Sequence, residues 1–227
     1  MHHVLDNAAW HALNSGNSDL AFGDDPVKFF GVETSPFVGL AQPTDENFAT
    51  LYNAVPNEGI YLFVIPAHHP IPDNWKVLHH TPGHQMVYEG EPIPFTPKHE
   101  LVTLTDEHIP QMMALTKLTN PGPFVERTID FGHYRGIFEG GRLVAMAGQR
   151  LNPTPYAEVS AVCTHPDHTG KGYARELLIY HINRIIAAGE IPFLHVRYDN
   201  YRAIKVYEDI GFTTRTMVHF QVIKKVI

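Results

Sequence analysis

The chain reads as an α/β protein on three observations. The apolar run Val159-Ser160-Ala161-Val162-Cys163-Thr164 ends in a His165-Pro166 turn, passes into a loop carrying Gly170 and Gly172, and leads at once into an amphipathic stretch. Along the whole chain, apolar runs of strand length alternate with segments whose apolar residues recur at helical spacing. The runs are separated by Gly- and Pro-bearing turns, such as Gly140-Gly141 between two apolar stretches.

The elements follow in order. In 45–55, Phe48, Leu51, Tyr52 and Val55 share a helical face. The continuous apolar run 59–65, bounded by Gly59 and Pro66, reads as a buried strand, and 85–89 is expected to pair with it. Segment 89–97 holds Pro92, Pro94 and Pro97, which sit poorly in helix or sheet, so it reads as a linker. That divides the chain into a smaller α/β N-terminal domain, 1–96, and a second domain, 97–227. In the second, 101–118 supplies a strand and a helix, and 134–138 and 143–149 form a hairpin through Gly140-Gly141. Segment 158–164 is the next strand. Ala174, Leu177, Leu178, Ile182, Ile185 and Ile186 mark a helix over 172–188, stopped by Gly189. After a strand at 192–198, Asn200 caps a short helix carrying Ala203, Ile204, Tyr207 and Ile210. Gly211-Phe212 closes it, and 217–224 is the last strand.

Composition excludes several classes. The 227 residues carry a formal charge of −7 with scattered basic residues, against a nucleic-acid partner. No apolar run approaches membrane-span length and no secretory signal is visible, so a cytoplasmic location is expected. Cys163 is the single cysteine: no internal disulfide can form, and a small buried residue is the plain reading. Among 16 histidines, His68-His69, His79-His80 and His84 invite a metal reading. No cysteine or carboxylate completes a ligand set, so no metal is expected. His2-His3 at the start carries no argument.

Chemistry concentrates at the glycine loop. Gly170 and Gly172 allow close approach of a backbone, and the first helical turn presents unpaired N–H groups at a positive dipole end. This is an anion site suited to phosphate or pyrophosphate. Lys171 and Arg175 stand beside it, at a helix end that otherwise disfavours cations. Lys171 is followed by Gly172 rather than Ser or Thr, which is not a P-loop, and the dinucleotide fingerprint is not met either.

Thr169-Gly170-Lys171-Gly172-Tyr173-Ala174 resembles the R/Q-x-x-G-x-G/A signature of the GNAT superfamily of N-acetyltransferases, with Thr169 where the family has Arg or Gln. The order of elements from about residue 97 to the end is similar too, including the Asn200…Ala203…Tyr207-Glu208-x-x-Gly211-Phe212 ending. Pro121-Gly122-Pro123-Phe124, Arg127-Thr128, Ala145-Met146-Ala147-Gly148 and Val162-Cys163-Thr164-His165-Pro166 look most like the branch that includes glycine N-acyltransferase-like proteins. The resemblance implies a mixed, mostly antiparallel sheet flanked by helices. It also implies acetyl-CoA as co-substrate and an amine acceptor, a small molecule or amino acid, as partner, with room for a homodimer. In some two-part relatives the N-terminal part looks like a degenerate copy of the same fold. Here that region lacks a Gly-x-Gly loop and is expected to pack and to shape the substrate site.

The resemblance also assigns roles. Thr169 to Arg175 would cradle the pyrophosphate, and main-chain groups of Val162, Cys163 and Thr164 would hold the pantetheine arm, with an N–H near Val162 beside the thioester oxygen. Glu158, four residues before Val162 and so on its strand face, is the candidate general base, or a group that holds the substrate. An alkylammonium titrates at about 10.4, so a proton path is needed. Tyr207, on one helical face with Asn200, Ala203 and Ile204, is the candidate acid for the leaving thiolate. Asn200 would also contact the arm. Phe124 and Arg127 lie where the acceptor is expected, and Arg127 with Thr128 suits a carboxylate. The alternatives are a protein or peptide N-acetyltransferase and a non-catalytic acyl-CoA-binding module.

Overall fold

The computed structural model describes residues 3–67 and 69–227; His2 and His68 of the histidine reading lie outside them. The N-terminal segment forms α1 (Ala8–Leu13), β1 (Ala21–Phe22), β2 (Val27–Phe30), β3 (Val38–Leu40), α2 (Asp45–Ala54), β4 (Ile60–Ile65) and β5 (Trp75–Val87). The remainder forms β6 (Val102–Thr103), α3 (Ile109–Thr119), β7 (Arg135–Glu139), β8 (Arg142–Gln149), β9 (Tyr156–Thr164), α4 (Tyr173–Ala187), β10 (Ile191–Arg197), α5 (Tyr201–Ile210) and β11 (Thr213–Lys225). Helix bounds fall at their chemical signals. Thr44 caps α2 through its hydroxyl, Asn200 caps α5, and Gly211, at φ 115°, ends it.

One eight-stranded sheet in the order β4-β11-β5-β10-β9-β8-β7-β6 runs through the molecule, and β1-β2-β3 form a small second sheet. Every pairing in the large sheet is antiparallel except β9 with β10. Helices α4 and α5 cover one face, where Leu178, Ile182, Ile185, Tyr207 and Ile210 pack on Ala157, Val159, Leu194 and Val196. The other face is covered by α1, with Ala8, Ala9, Ala12 and Leu13 against Val64, Val87, Phe193 and Val218, and by α3, with Met112 and Leu115 against Ala161 and Cys163.

The large sheet takes strands from both sides of residue 96: β5 lies between β10 and β11, and β4 extends the same sheet beyond β11. One expectation is corrected here: segment 85–89 does not pair with 59–65, because β4 and β5 both pair with β11, which lies between them. The long β5 was masked by Pro82. It is tolerated at the end of the β10 pairing: Tyr198 N, just past β10, still donates to Pro82 O at 3.2 Å, and only the return bond that would need an N–H at 82 is missing.

Candidate active site at the splayed strands

Strands β9 and β10 pair only at Tyr156–Ile191, Ala157–Pro192 and Glu158–Phe193. Beyond this vertex β10 stays with β5 up to Arg197–Gly83, while β9 stays with β8, so a wedge opens between residues 159–164 and 194–197. The separation leaves one edge of β9 without a strand partner. Thr164 Oγ1 is buried there without a hydrogen-bond partner among the described residues.

A bulge shapes the wedge. Between Met146–Cys163 and Gly148–Ser160 the register slips, with Ala161 as the extra residue at φ 52°. Ala157 and Val159 face α4, and Val162 packs on that side too, whereas Ala161 and Cys163 face α3. Glu158 and Val162 therefore point to opposite faces. The shared face expected from strict alternation is overturned by one inserted residue.

Glu158 is wholly buried. Its Oε2 accepts from Arg150 Nε at 3.0 Å and from Leu151 N at 3.2 Å, and its Oε1 accepts from Arg150 Nη2 at 2.7 Å. His195 Nδ1 lies 2.7 Å from the same Oε1. Burial alone would raise this carboxyl's pKa. The Arg150 guanidinium, and after it His195, more than reverse that and hold it at about 2. The network continues through Gln85, whose Nε2 lies 3.0 Å from His195 Nε2 and donates to Leu5 O at 2.9 Å. Gln85 Oε1 accepts from Arg215 Nε at 2.6 Å, and Arg215 donates to Asp6 at 2.7 Å. Arg215 can only donate, which fixes the Gln85 amide. Its NH₂ then faces His195 Nε2, which accepts, so the His195 proton that meets Glu158 is on Nδ1.

On the α4 side, Tyr207 is buried and sits edge-on to Phe212 at 6.1 Å. Burial first, and the nearby Cys163 second, push its phenol up to about 12. Burial likewise lifts the Cys163 thiol to about 12, against a hydrogen bond from Thr119. Asn200 Oδ1 accepts from Ala203 N at 3.2 Å, leaving its amide N–H groups free of that bond.

At the far end of β9, Gly170 and Gly172 adopt φ 81° and 88°, and a Cβ at either would meet nothing within 4 Å. Gly172 is the N-cap of α4, and no side chain caps the helix. Lys171 and Arg175 are exposed. Lys171 Nζ pairs with Glu139 at 2.9 Å, and the buried Tyr173 donates its hydroxyl to the same carboxylate. Thr169 Oγ1 turns back to Pro166 O at 3.1 Å.

The acceptor-side residues lie apart from these. Phe124 packs edge-on to Tyr134 at 5.8 Å. Arg127 is on the surface, bound by Asp130 and 3.4 Å from Asp106. Thr128 is buried, donating to Thr34 O at 2.9 Å and accepting from Val125 N at 2.8 Å. Sequence reasoning missed Arg150 and His195. Their signal was available: opposite charges and an imidazole inside three otherwise apolar neighbouring strands.

An uncapped glycine loop at a helix start, beside a strand pair that parts at its vertex, defines a protein built to hold an anionic ligand with an extended arm. Known proteins agree. The profile described as FR47-like protein matches residues 134–220. A crystal structure from Novosphingobium aromaticivorans DSM 12444, assigned to the GNAT family as an acetyltransferase, is 31% identical over 100% of both chains, with a TM-score of 0.92. The chain belongs to the GNAT family of acetyltransferases. It is also 39% identical over 83 residues to the N-alpha-acetyltransferase RimI of Mycobacterium tuberculosis (strain ATCC 25618 / H37Rv), a match spanning 35% of this chain and only 51% of that protein. A GCN5-related N-acetyltransferase from Kribbella flavida shares the fold at 14% identity, with a TM-score of 0.61 over 94% of this chain. Among the described residues no helix is long and apolar enough to cross a membrane, and no group of three or more side chains is arranged to hold a metal.

Proposed function

We propose that the chain transfers the acetyl group of acetyl-CoA to a primary amine of a small molecule or amino acid, by direct attack in a ternary complex. The observation that carries this reading is the wedge between β9 and β10, which ends at the uncapped start of α4. The residues fit the co-substrate: the open glycine loop suits a pyrophosphate, and the bare edge of β9 with the orphaned Thr164 hydroxyl suits a peptide-like arm. When bound, acetyl-CoA supplies an activated acyl group and a thiolate leaving group. The N–H groups of residues 170–175 would hold phosphate oxygens, with Arg175 and Lys171 alongside. The β9 edge at Val162, Cys163 and Thr164 would align the arm and offer an N–H to the thioester oxygen.

Tyr207 is proposed as the proton donor to the thiolate. Its phenol keeps its proton at neutral pH. A free thiol is ordinarily the stronger acid, which would make the transfer uphill. A thiolate held in the same dry cleft is disfavoured by burial as the phenolate is, which narrows that gap. Glu158 is not proposed as the base. Its four lone-pair positions are filled by Arg150, His195 and Leu151, and a carboxylate at about 2 takes up no proton near neutrality. The acceptor then enters as free amine, and solvent takes the proton released on attack.

The finer resemblance, to the glycine N-acyltransferase-like branch, belongs to this proposal and rests on 121–128 and the strands around the wedge. Similarity to RimI favours a second reading, transfer to a protein N-terminus. The test is a free-thiol release assay with acetyl-CoA against amines, amino acids and peptides. Release above the hydrolysis background with small amines or amino acids supports the first reading. Release with peptides alone selects the second, and no release with any acceptor removes both.

A further inference from the structure

Arg150 is nine-tenths buried, yet half of its guanidinium is unused. A guanidinium offers two bidentate edges: the side edge, made of Nε and one Nη, and the end, made of both Nη atoms. Glu158 fills the side edge through Nε and Nη2. The Phe37 ring covers one face of the plane, 4.6 Å away. Nη1 makes no hydrogen bond among the described residues and is not one of the buried unpartnered atoms, so solvent reaches it. A Cβ built on Gly122 would touch Nη1 at 3.8 Å and nothing else within 4 Å, so the 120–124 loop borders this nitrogen and leaves it uncovered only because residue 122 carries no side chain.

A structural ion pair needs only the edge that Glu158 fills. Desolvating a guanidinium is costly, and the cost is usually offset by saturating its donors. Here one edge is saturated by a carboxylate that is itself fixed by His195, Gln85 and Arg215, while Nη1 of the other edge is held rigid and open to solvent. Arg150 and Glu158 cancel in charge, but Nη1 borders the 120–124 loop while Glu158 is wholly buried. That loop thus meets a positive end. Tyr134 joins this place to the wedge: it packs with Ala161 and Cys163 of β9 and edge-on to Phe124 of the 120–124 loop.

We infer that the open end of the Arg150 guanidinium holds a carboxylate of the acceptor, so that the acceptor class is an amine bearing a carboxylate, an amino acid foremost. This rests on the acetyl-transfer reading above and narrows its acceptor. It also moves the carboxylate site from Arg127, whose guanidinium is occupied by Asp130 and Asp106, to Arg150. The loop at Gly122 must stay without a side chain for the carboxylate to enter.

The test compares glycine, alanine, glutamate and phenylalanine with their primary amides, in two measurements. The first is kcat/KM for thiol release by the wild-type chain. Free acids are expected to exceed their amides by roughly 10- to 100-fold, the usual worth of a hydrogen-bonded charge. The second is acceptor binding by ligand-observed NMR without acetyl-CoA, for the wild type and for the double variant Arg150→Gln/Glu158→Gln, which removes both charges and leaves no buried ion unpaired. Acid-selective binding should vanish in the variant, while its acetyl-CoA affinity stays the same by calorimetry. Turnover of acids and amides at equal kcat/KM overturns this inference and leaves the acetyl-transfer reading standing. Acid-selective, Arg150-dependent binding with no thiol release does the reverse. Peptide amines turned over ahead of all the acids, or no acid bound by the wild type, also overturn it. The wild-type comparisons need no variant, so a misfolded double variant does not rescue the idea.

Discussion

The two halves of the large sheet are assembled differently. From β6 to β9, every strand pairs with the one before or after it in the chain. From β10 to β4 the order is woven: β5 is clasped between two C-terminal strands, and β4 joins only through β11. The serial half carries the bulge and leads into the glycine loop. The woven half carries no part of that loop, but it sets the angle at which β10 leaves β9. Glu158 is the seam, sitting at the last β9–β10 pair and tied to Arg150 on one side and His195 on the other. In this molecule the groups proposed to hold the co-substrate collect on locally built structure, and distant chain segments set the angle of the wedge beside it.

The largest expected effect breaks the woven half outright. Deleting residues 1–96 removes both neighbours of β11 and one neighbour of β10, so residues 97–227 alone should show no cooperative thermal transition by circular dichroism. A cooperative melt from that fragment would mean that the halves are separable. Next comes the seam. Glu158→Ala leaves the Arg150 charge buried and unpaired, and should cost about 3–5 kcal/mol in denaturant unfolding. The pair also sets an acid limb. Because the folded pKa is depressed from 4.5 to about 2, its stabilisation is complete above the unfolded value and is lost as pH falls through that window. Glu158→Gln should flatten stability against pH there and nowhere else.

Smaller effects belong to the serial half and to α5, and should spare stability. Tyr207→Phe should lower turnover by roughly 10²–10⁴-fold with acetyl-CoA affinity kept; unchanged turnover with a lower melting temperature would make Tyr207 a packing residue only. Gly172→Asp sets a carboxylate at the N-cap of α4. The positive φ at 172 makes a side chain there cost about 1–2 kcal/mol, which the fold should survive, while calorimetry shows acetyl-CoA binding weakened by roughly tenfold or more. The smallest effect is expected for Arg127→Ala, which removes a surface ion pair remote from the seam and should leave melting temperature and acceptor KM where they were.

The serial half was almost wholly legible. Gly140 and Gly141 both take positive φ at the tip of the β7–β8 hairpin, as a two-residue turn requires. The glycine loop and both helix stops fell at their residues, because turn and cap chemistry is local. What escaped was non-local or carried by a single residue. Nothing in the composition of β9 marks Ala161 as the bulge, and that one residue turns Val162 away from the Glu158 face. The β5 insertion depends on partners at the far end of the chain, and Pro82 argued against it. The Arg150–Glu158–His195 seam joins three strands, and each partner alone reads as an oddity in an apolar run.

The clasp on β5 also sets a timetable. This strand leaves the ribosome early, yet its two neighbours are among the last segments made, on the order of a hundred residues later. At ordinary elongation rates it waits roughly 5–20 s with both edges bare. An unpaired strand of thirteen residues is a template for any passing chain. Its first part, Lys76-Val77-Leu78-His79-His80-Thr81-Pro82-Gly83, carries a lysine and a proline, the residue types that discourage edge-to-edge pairing. The residues that hid β5 from a reading of the sequence are the ones that keep it single until the chain is complete.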